Sequence, residues 1–318
     1  MPPRPIPLAL GSYQSADLRA SCRRLVGCFS ESAPSDAPSD PKQAYYQVTY
    51  KPAAVRRFPG TTQLATDNTA NGVRGMRMMN GVQYAVIGPT LYTLTSAGVL
   101  TQVGTGISGT GFVRLADNTQ CLFVLIPGTN TGYTYTTANG FATYTDAQFT
   151  GYGAIDVWFI DTYLVFLALD GRTFYNDDGQ VTSGTGPITF ATGATFAREF
   201  GTDKFIGGTS ATLTGCYALT PTIAGHPLWV LVMPSDQRTI VYDCLTQEWF
   251  ELSTTGLNYY RALCWYTAFG KQLVGDSQTG AIHYLDVTSH TEFGVEVNTY
   301  FVLQSVYVGH NRTAHRRL

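Results

Sequence analysis

The sequence predicts an all-β protein of propeller type, built from four-stranded antiparallel blades. Three observations carry that prediction. The first is composition: of 318 residues, 44% are hydrophobic, 13% aromatic and only 13% charged, about half the roughly 25% charge usual in soluble domains. With 33 Gly, 20 Tyr and 17 Phe, this is not the Ala/Leu/Glu/Lys chemistry of helical bundles. Nor is it the low hydrophobicity and high net charge of disorder. The second is rhythm: short β-type runs recur between Gly and Asn punctuation. The third is grouping, because those runs come in fours.

The first round runs from Gly72–Met79 through Asn80-Gly81 into Val82–Ile87, then Thr90–Thr95, Ala97-Gly98 and Val99–Val103. Asn-Gly is the strongest short hairpin signal, since both positions tolerate positive φ. A second round holds Phe112–Leu115, Thr119–Ile126, Tyr133–Thr136 and Phe141–Tyr144, with turns at Asp117-Asn118 and Asn139-Gly140. A third holds Ala154–Ile160, Tyr163–Leu169 and Arg172–Tyr175, turning at Asp170-Gly171 and Asp178-Gly179. The rhythm blurs over Gly184–Gly215. It returns in Gly215–Leu219, Leu228–Met233, Thr239–Asp243 and Trp249–Leu252, then in Arg261–Tyr266, Lys271–Gly275 and Ala281–Asp286. Four strands per 35–45 residues is the propeller pattern, in which blades stack face to face and bury surfaces that one sheet leaves open. A β-sandwich with long hairpins is the competing fold.

Three segments follow: an extended N-terminal arm over 1–57, a β-propeller body over 58–296 and a C-terminal strand with a basic tail over 297–318. The arm is rich in Pro, Ser and Ala, with a short helix expected in Ser15–Val26 and a strand in Tyr45–Tyr50. Thr299–Val308 alternates as a strand. No run reaches the roughly 18 apolar residues of a membrane span, and no secretory leader is expected. The expectation is therefore synthesis in a host cytoplasm, with no membrane anchor.

Net charge is −2 with a pI near 6.2, which excludes a strongly basic nucleic-acid binder. The total hides a split: 1–57 carries +4, 309–318 carries +3, and 58–308 carries −9. Basic ends beside an acidic body suggest chain-to-chain docking. Arg56 and Arg57, with Arg312, Arg316 and Arg317, are the expected assembly contacts.

No catalytic, cofactor-binding or metal-ligating residue is predicted. Cys22, Cys28, Cys121, Cys216, Cys244 and Cys264 lack zinc spacing and read as buried or idle thiols. Asp177-Asp178 lacks the oxygen-ligand spacing of a calcium loop and reads as a hairpin turn. Asp156 and Asp161 fall on opposite faces of one strand and make a poor glycosidase pair. His226 reads as a turn residue; His283, His290, His310 and His315 form no metal pattern. Gly104–Gly111 is glycine-rich, but no helix follows to hold a phosphate, so it reads as an inter-blade loop. Trp158, Trp229, Trp249 and Trp265 lie in apolar strands and read as core.

Several phrases together carry a resemblance. Pro5–Leu8, Tyr45–Tyr50, Val55-Arg-Arg-Phe-Pro-Gly-Thr61, Val73-Arg-Gly-Met-Arg77 and Leu91-Tyr92 resemble the start of the tail hub proteins of short-tailed bacteriophages. These are also called packaged-DNA stabilisation proteins, tail accessory factors or nozzle proteins. Gly225–Pro234, Thr239–Asp243 and Gln247–Phe250 look like that family's late blade, and Phe269–Asp276 with Gly280–Asp286 like the next. The chain departs from the pattern by being short between about Gly207 and Gly215 and after Glu296. The resemblance implies a structural, non-enzymatic virion protein without cofactors. It implies a hexameric tube beneath the portal-adaptor ring that extends the DNA channel, retains packaged DNA and attaches tail fibres or spikes. The dsDNA would pass without sequence-specific binding, because an acidic lining repels phosphate. The competing functions are a carbohydrate-binding or carbohydrate-cleaving propeller and a protein-interaction propeller.

Overall fold

The computed structural model describes residues 22–30, 55–160, 163–168, 173–176, 188–190, 215–246, 248–303, 306–308 and 311–313. The chain divides into two compact units. One is Gln63–Ala211 with Ala262–Leu285, and the other is Met1–Thr62 with Thr212–Arg261 and Asp286–Leu318.

Among the described residues, the first unit holds four four-stranded antiparallel sheets. The first blade is Val73–Met79, Val82–Ile87, Thr90–Leu94 and Leu100–Thr105. The second is Arg114–Asp117, Leu122–Leu125, Gly132–Thr136 and Gly140–Thr143. The third is Ala154–Ile160, Tyr163–Ala168, Thr173–Asn176 and Ile188–Phe190. In these three the strands pair in chain order. Local hairpins explain that order. Asn80 and Gly81 adopt φ of 50° and 77°, and Met79 pairs with Val82 across them, as a two-residue primed turn requires.

The fourth blade is composite. Ala262–Ala268, Lys271–Asp276 and Ala281–Asp286 supply three strands, and Gly60–Thr66 supplies the last. A strand that precedes the first blade thus completes the last one.

Packing explains why the middle strands are apolar at nearly every position rather than alternating, Gln83 of Val82–Ile87 being the polar exception. In Val82–Ile87, Tyr84 and Val86 face Leu122, Val124 and Tyr133 of the second blade. Ala85 and Ile87 point the other way, toward Leu273 and Ile282 of the composite blade. The second blade repeats the device, with Phe123 and Leu125 packed against Val157, Leu164 and Phe166 of the third. Successive side chains leave a strand on opposite faces, so covering both faces buries Gln83 through Ile87 without a break and leaves only Val82, at the turn, exposed. The first strands of successive blades also pack together: Val73–Met79 meets Ala262–Ala268 and Arg114–Asp117, and the latter meets Ala154–Ile160. That approach needs Gly75, whose Cβ would stand 2.8 Å from Val113 Cγ2 and 3.0 Å from Leu115 Cδ1.

A short helix, Ala147–Tyr152, links the second and third blades. Asp146 caps it, its Oδ1 accepting from the Phe149 amide at 2.8 Å. Phe149 then packs edge-on against Phe123, Tyr144 and Phe166.

The second unit is built on a longer sheet. Tyr217–Leu219, His226–Met233, Arg238–Asp243 and Glu248–Glu251 form its antiparallel part. Cys22–Val26 then lies parallel to Glu248–Glu251, and Tyr300–Leu303 lies antiparallel to Cys22–Val26. The arm therefore carries a strand where the sequence predicts the end of a short helix. Pairing on both edges outweighs the local preference. Gly27 ends this strand at φ 64°, with the Asn298 carbonyl under its Cα. Its amide donates to Glu251 O and its carbonyl accepts from the Phe58 amide, each at 2.8 Å. Cys28–Ser30 continues into a second pairing, with Val55–Arg57. The predicted C-terminal strand is two pieces, Tyr300–Leu303 and Val306–Val308, the latter paired with Asn311–Thr313.

Candidate functional site

In the first unit the charges on the first strands are matched from blade to blade. Arg77 Nε stands 2.7 Å from Asp117 Oδ2, linking the first blade to the second. Arg114 Nε stands 3.4 Å from Asp156 Oδ1, linking the second to the third. Burial raises the Asp156 carboxyl above its ordinary pKa, and Arg114 pulls it back. Arg74, on the same strand as Arg77, is 1% exposed. Its guanidinium donates to four carbonyls: Gly111 at 2.6 Å, Ser108 at 2.7 Å, Gly88 at 2.9 Å and Ile107 at 3.5 Å. Burial lowers its pKa, but arginine still keeps its proton in proteins. The glycine-rich loop thus presents carbonyls to a buried cation. A phosphate loop would present amides to an anion.

Among the buried polar residues of the second unit, two clusters have no signal in the sequence. His226 opens its strand, 4% exposed, with Nδ1 2.6 Å from Oδ2 of the fully buried Asp243. Phe29 packs edge-on to His226 and stacks on Phe250. His226 is therefore a buried strand residue and not the expected turn residue. Asp243 also accepts from the amides of Leu245 and Thr246. The second group centres on Glu292, 2% exposed. Burial pushes its pKa up to about 7, against the pull of a Thr254 hydroxyl bond and of Arg261. The Tyr260 ring packs edge-on to Phe58 and tilted against Phe293, and burial next to Glu292 pushes its phenol well above the ordinary value.

The tryptophans correct the sequence reading. Trp158 is 42% exposed and Trp229 37%, while Trp249 and Trp265 are half-buried. An apolar strand sequence does not tell which of its faces is covered. Trp229, Tyr242 and Trp249 form one cross-strand row, with Trp249 in ring contact with both others. On the same face, Arg238 and Glu251 pair at 3.2 Å. They line a cleft of about 480 Å³ together with Asp236, Asn258, Asn298 and Tyr300.

Of the expected assembly contacts, Arg56 and Arg57 lie on the strand Val55–Arg57, Arg56 being exposed. Arg57 is tied down, donating to Ser289 O at 2.6 Å and His290 Nδ1 at 3.0 Å. Arg312 lies on the strand Asn311–Thr313. Arg316, Arg317, Tyr45–Tyr50, Asp161, Asp177 and Asp178 lie outside the described residues. Burial pushes the Cys121 and Cys264 thiols up to about 12, so neither supplies a reactive thiolate. Among the described residues no three His, Cys, Asp or Glu side chains gather as a metal site.

Stacked four-stranded blades, the last completed by an early strand, define a β-propeller-type protein. Residues 38–180 match the family model described as Bacteriophage P22 Gp10, beta-propeller, so the resemblance to the tail hub and packaged-DNA stabilisation proteins of short-tailed phages is borne out. That match supports a structural role in a phage particle. No curated protein matches the sequence. Among solved structures, the WD40 beta propeller domain of Doa1 is similar at 11% identity and a TM-score of 0.38, over 72% of this chain and 98% of that one. Glutaminyl cyclase of Myxococcus xanthus is similar at 13% identity and 0.34, over 73% and 97%. At those scores the fold rests on the sheets and on the family match.

Proposed function

We propose that this chain is a structural, non-enzymatic virion subunit: the tail hub or nozzle below the portal-adaptor ring of a short-tailed phage. In this reading six copies form a tube that extends the DNA channel, retains the packaged DNA and attaches tail fibres or spikes. The observation that carries it is the family match over residues 38–180, which falls on successive stacked blades. The low charge content suits a subunit with much of its surface in contacts, because charged residues are depleted at interface cores. The paired arginines of the first strands suit a surface past which DNA slides, since Arg77 and Arg114 each meet an aspartate.

The test is assembly. Mass photometry of the purified chain should show a species at six times its 34.6 kDa mass. Alternatively, the chain should enter particles beneath the portal when expressed during infection. Removing 309–318, with Arg312, Arg316 and Arg317, should impair that assembly while the circular dichroism of the β body stays unchanged. A truncated chain that assembles normally removes the basic tail from the docking surface. A chain that stays monomeric and is absent from particles sinks the reading as a whole.

A further inference from the structure

The sheet of the second unit carries an aromatic row, Trp229 exposed and Tyr242 and Trp249 half-buried, beside a polar cleft, and neither belongs to the channel reading. Pair register fixes their relation. Trp229, Tyr242 and Trp249 stand in one row across three strands, and the next row on that face is Leu231, Ile240 and Glu251. Two residues along a strand is about 7 Å, so the cleft begins one row from the aromatic rings. Rings of Trp229 and Trp249 lie 6.2 Å apart at 83°, and Tyr242 and Trp249 lie 4.8 Å apart at 45°. Trp229 is 37% exposed although it sits in the middle of an eight-residue strand.

We propose that this face binds a neutral saccharide chain. The three rings are inclined to one another, so each offers its own flat apolar face with a polar N–H or O–H edge, which suits the C–H faces of successive sugar rings. The cleft offers planar amide and carboxylate groups, which suit paired hydroxyls. Asn298 is already oriented, its Nδ2 donating to Ser253 Oγ at 2.6 Å. Charge selects among occupants. The cleft holds the carboxylates of Asp236 and Glu251 against the single guanidinium of Arg238, and Glu251 takes up that guanidinium. A phosphate backbone or an acidic polymer would meet net negative charge there. A polyhydroxyl ligand without charge meets none, and it uses both the rings and the cleft.

The test titrates the full chain with maltohexaose, cellohexaose and chitohexaose, and with polygalacturonate as the acidic control, reading tryptophan emission and calorimetric heat. The expected result is binding of at least one neutral hexasaccharide with a Kd near 1 mM or tighter (about −4 kcal/mol), a shift in tryptophan emission, and no binding of polygalacturonate. Trp229→Ala and Asn258→Ala should each weaken that binding about tenfold and leave the unfolding transition in place. Failure of all three neutral probes overturns the proposal, as does binding that both variants leave intact. If Trp229→Ala disrupts self-association while sugar binding persists or never occurs, the face belongs to a second copy of the chain and the proposal falls. None of these outcomes depends on whether the chain forms a tail hub.

Discussion

At the scale of single residues, the two most informative groups are buried charges with opposite fates. Glu292 is nearly fully buried and faces the Thr254 hydroxyl, the Tyr260 ring and Arg261. Its folded pKa, about 7, stands above the ordinary 4.5. A raised carboxyl binds its proton more tightly in the folded state. Its contribution is therefore full below about pH 4.5 and is lost as pH rises through 7. At about 1.4 kcal/mol per pH unit, the window is on the order of 3 kcal/mol. Glu292→Gln keeps an acceptor for Thr254 and removes the titration. Urea midpoints should rise in the variant at pH 8 and change little at pH 5; an equal shift at both would assign the effect to packing. Arg74 is the converse, a cation held by four carbonyls. Lysine is a compact ammonium and lacks the planar fork that spans them. Arg74→Lys should cost at least 2 kcal/mol by strandings of about 1–3 kcal/mol per unpaired carbonyl, seen as a lower denaturant midpoint with an unchanged slope. Neither role was legible in the sequence. Arg74 was visible only as part of a motif, and its partners lie 14 to 37 residues away.

At the scale of elements, legibility follows locality. The hairpins of the first two blades were readable because Asn80-Gly81 and Asn139-Gly140 set each turn within a few residues. The last round showed only three strands in its own stretch, and its fourth, Gly60–Thr66, comes from some 200 residues earlier. No local pattern announces such a pairing. Cys22–Val26 escaped for the same reason: its Arg-Arg centre carries no alternation, and its strand character comes from partners at Glu251 and Tyr300–Leu303. The aromatic faces escaped differently, since Trp229 alternates correctly but its side of the sheet is left open. Deleting residues 1–30 should expose two unpaired edges at once, a known route to aggregation. Hydrogen exchange should then show lost protection at Glu248–Glu251 and Tyr300–Leu303, with Val82–Ile87 in the other unit still protected. Unchanged protection at Glu248–Glu251 would mean that the arm strand adds nothing to the sheet.

At the scale of the whole molecule, charge distribution decides what the surface can hold. A near-neutral total conceals a −9 stretch over 58–308 between basic ends. The structure adds that Arg77 and Arg114, on the first strands of the blades, pair with aspartates on the next blade, and that Arg74 is buried among backbone carbonyls. DNA affinity arises chiefly from counterions released as Lys and Arg neutralise phosphates, with a slope near −0.9 per phosphate contact. With Arg77 and Arg114 already paired and Arg74 buried, the body has few cations to offer. A chain lacking residues 1–21 and 309–318, with Arg23, Arg24, Lys42, Lys51 and Arg56 also changed to Gln so that both basic ends are gone, should therefore show no measurable binding to a 40-base-pair duplex at about 0.15 M salt, and at lower salt a slope close to zero. Adding back 309–318 should restore weak, salt-sensitive binding of about three contacts, one for each of Arg312, Arg316 and Arg317. Tight binding by the trimmed body with a slope of many contacts would show a phosphate-gripping surface. A channel lined that way would hold its DNA rather than let it pass.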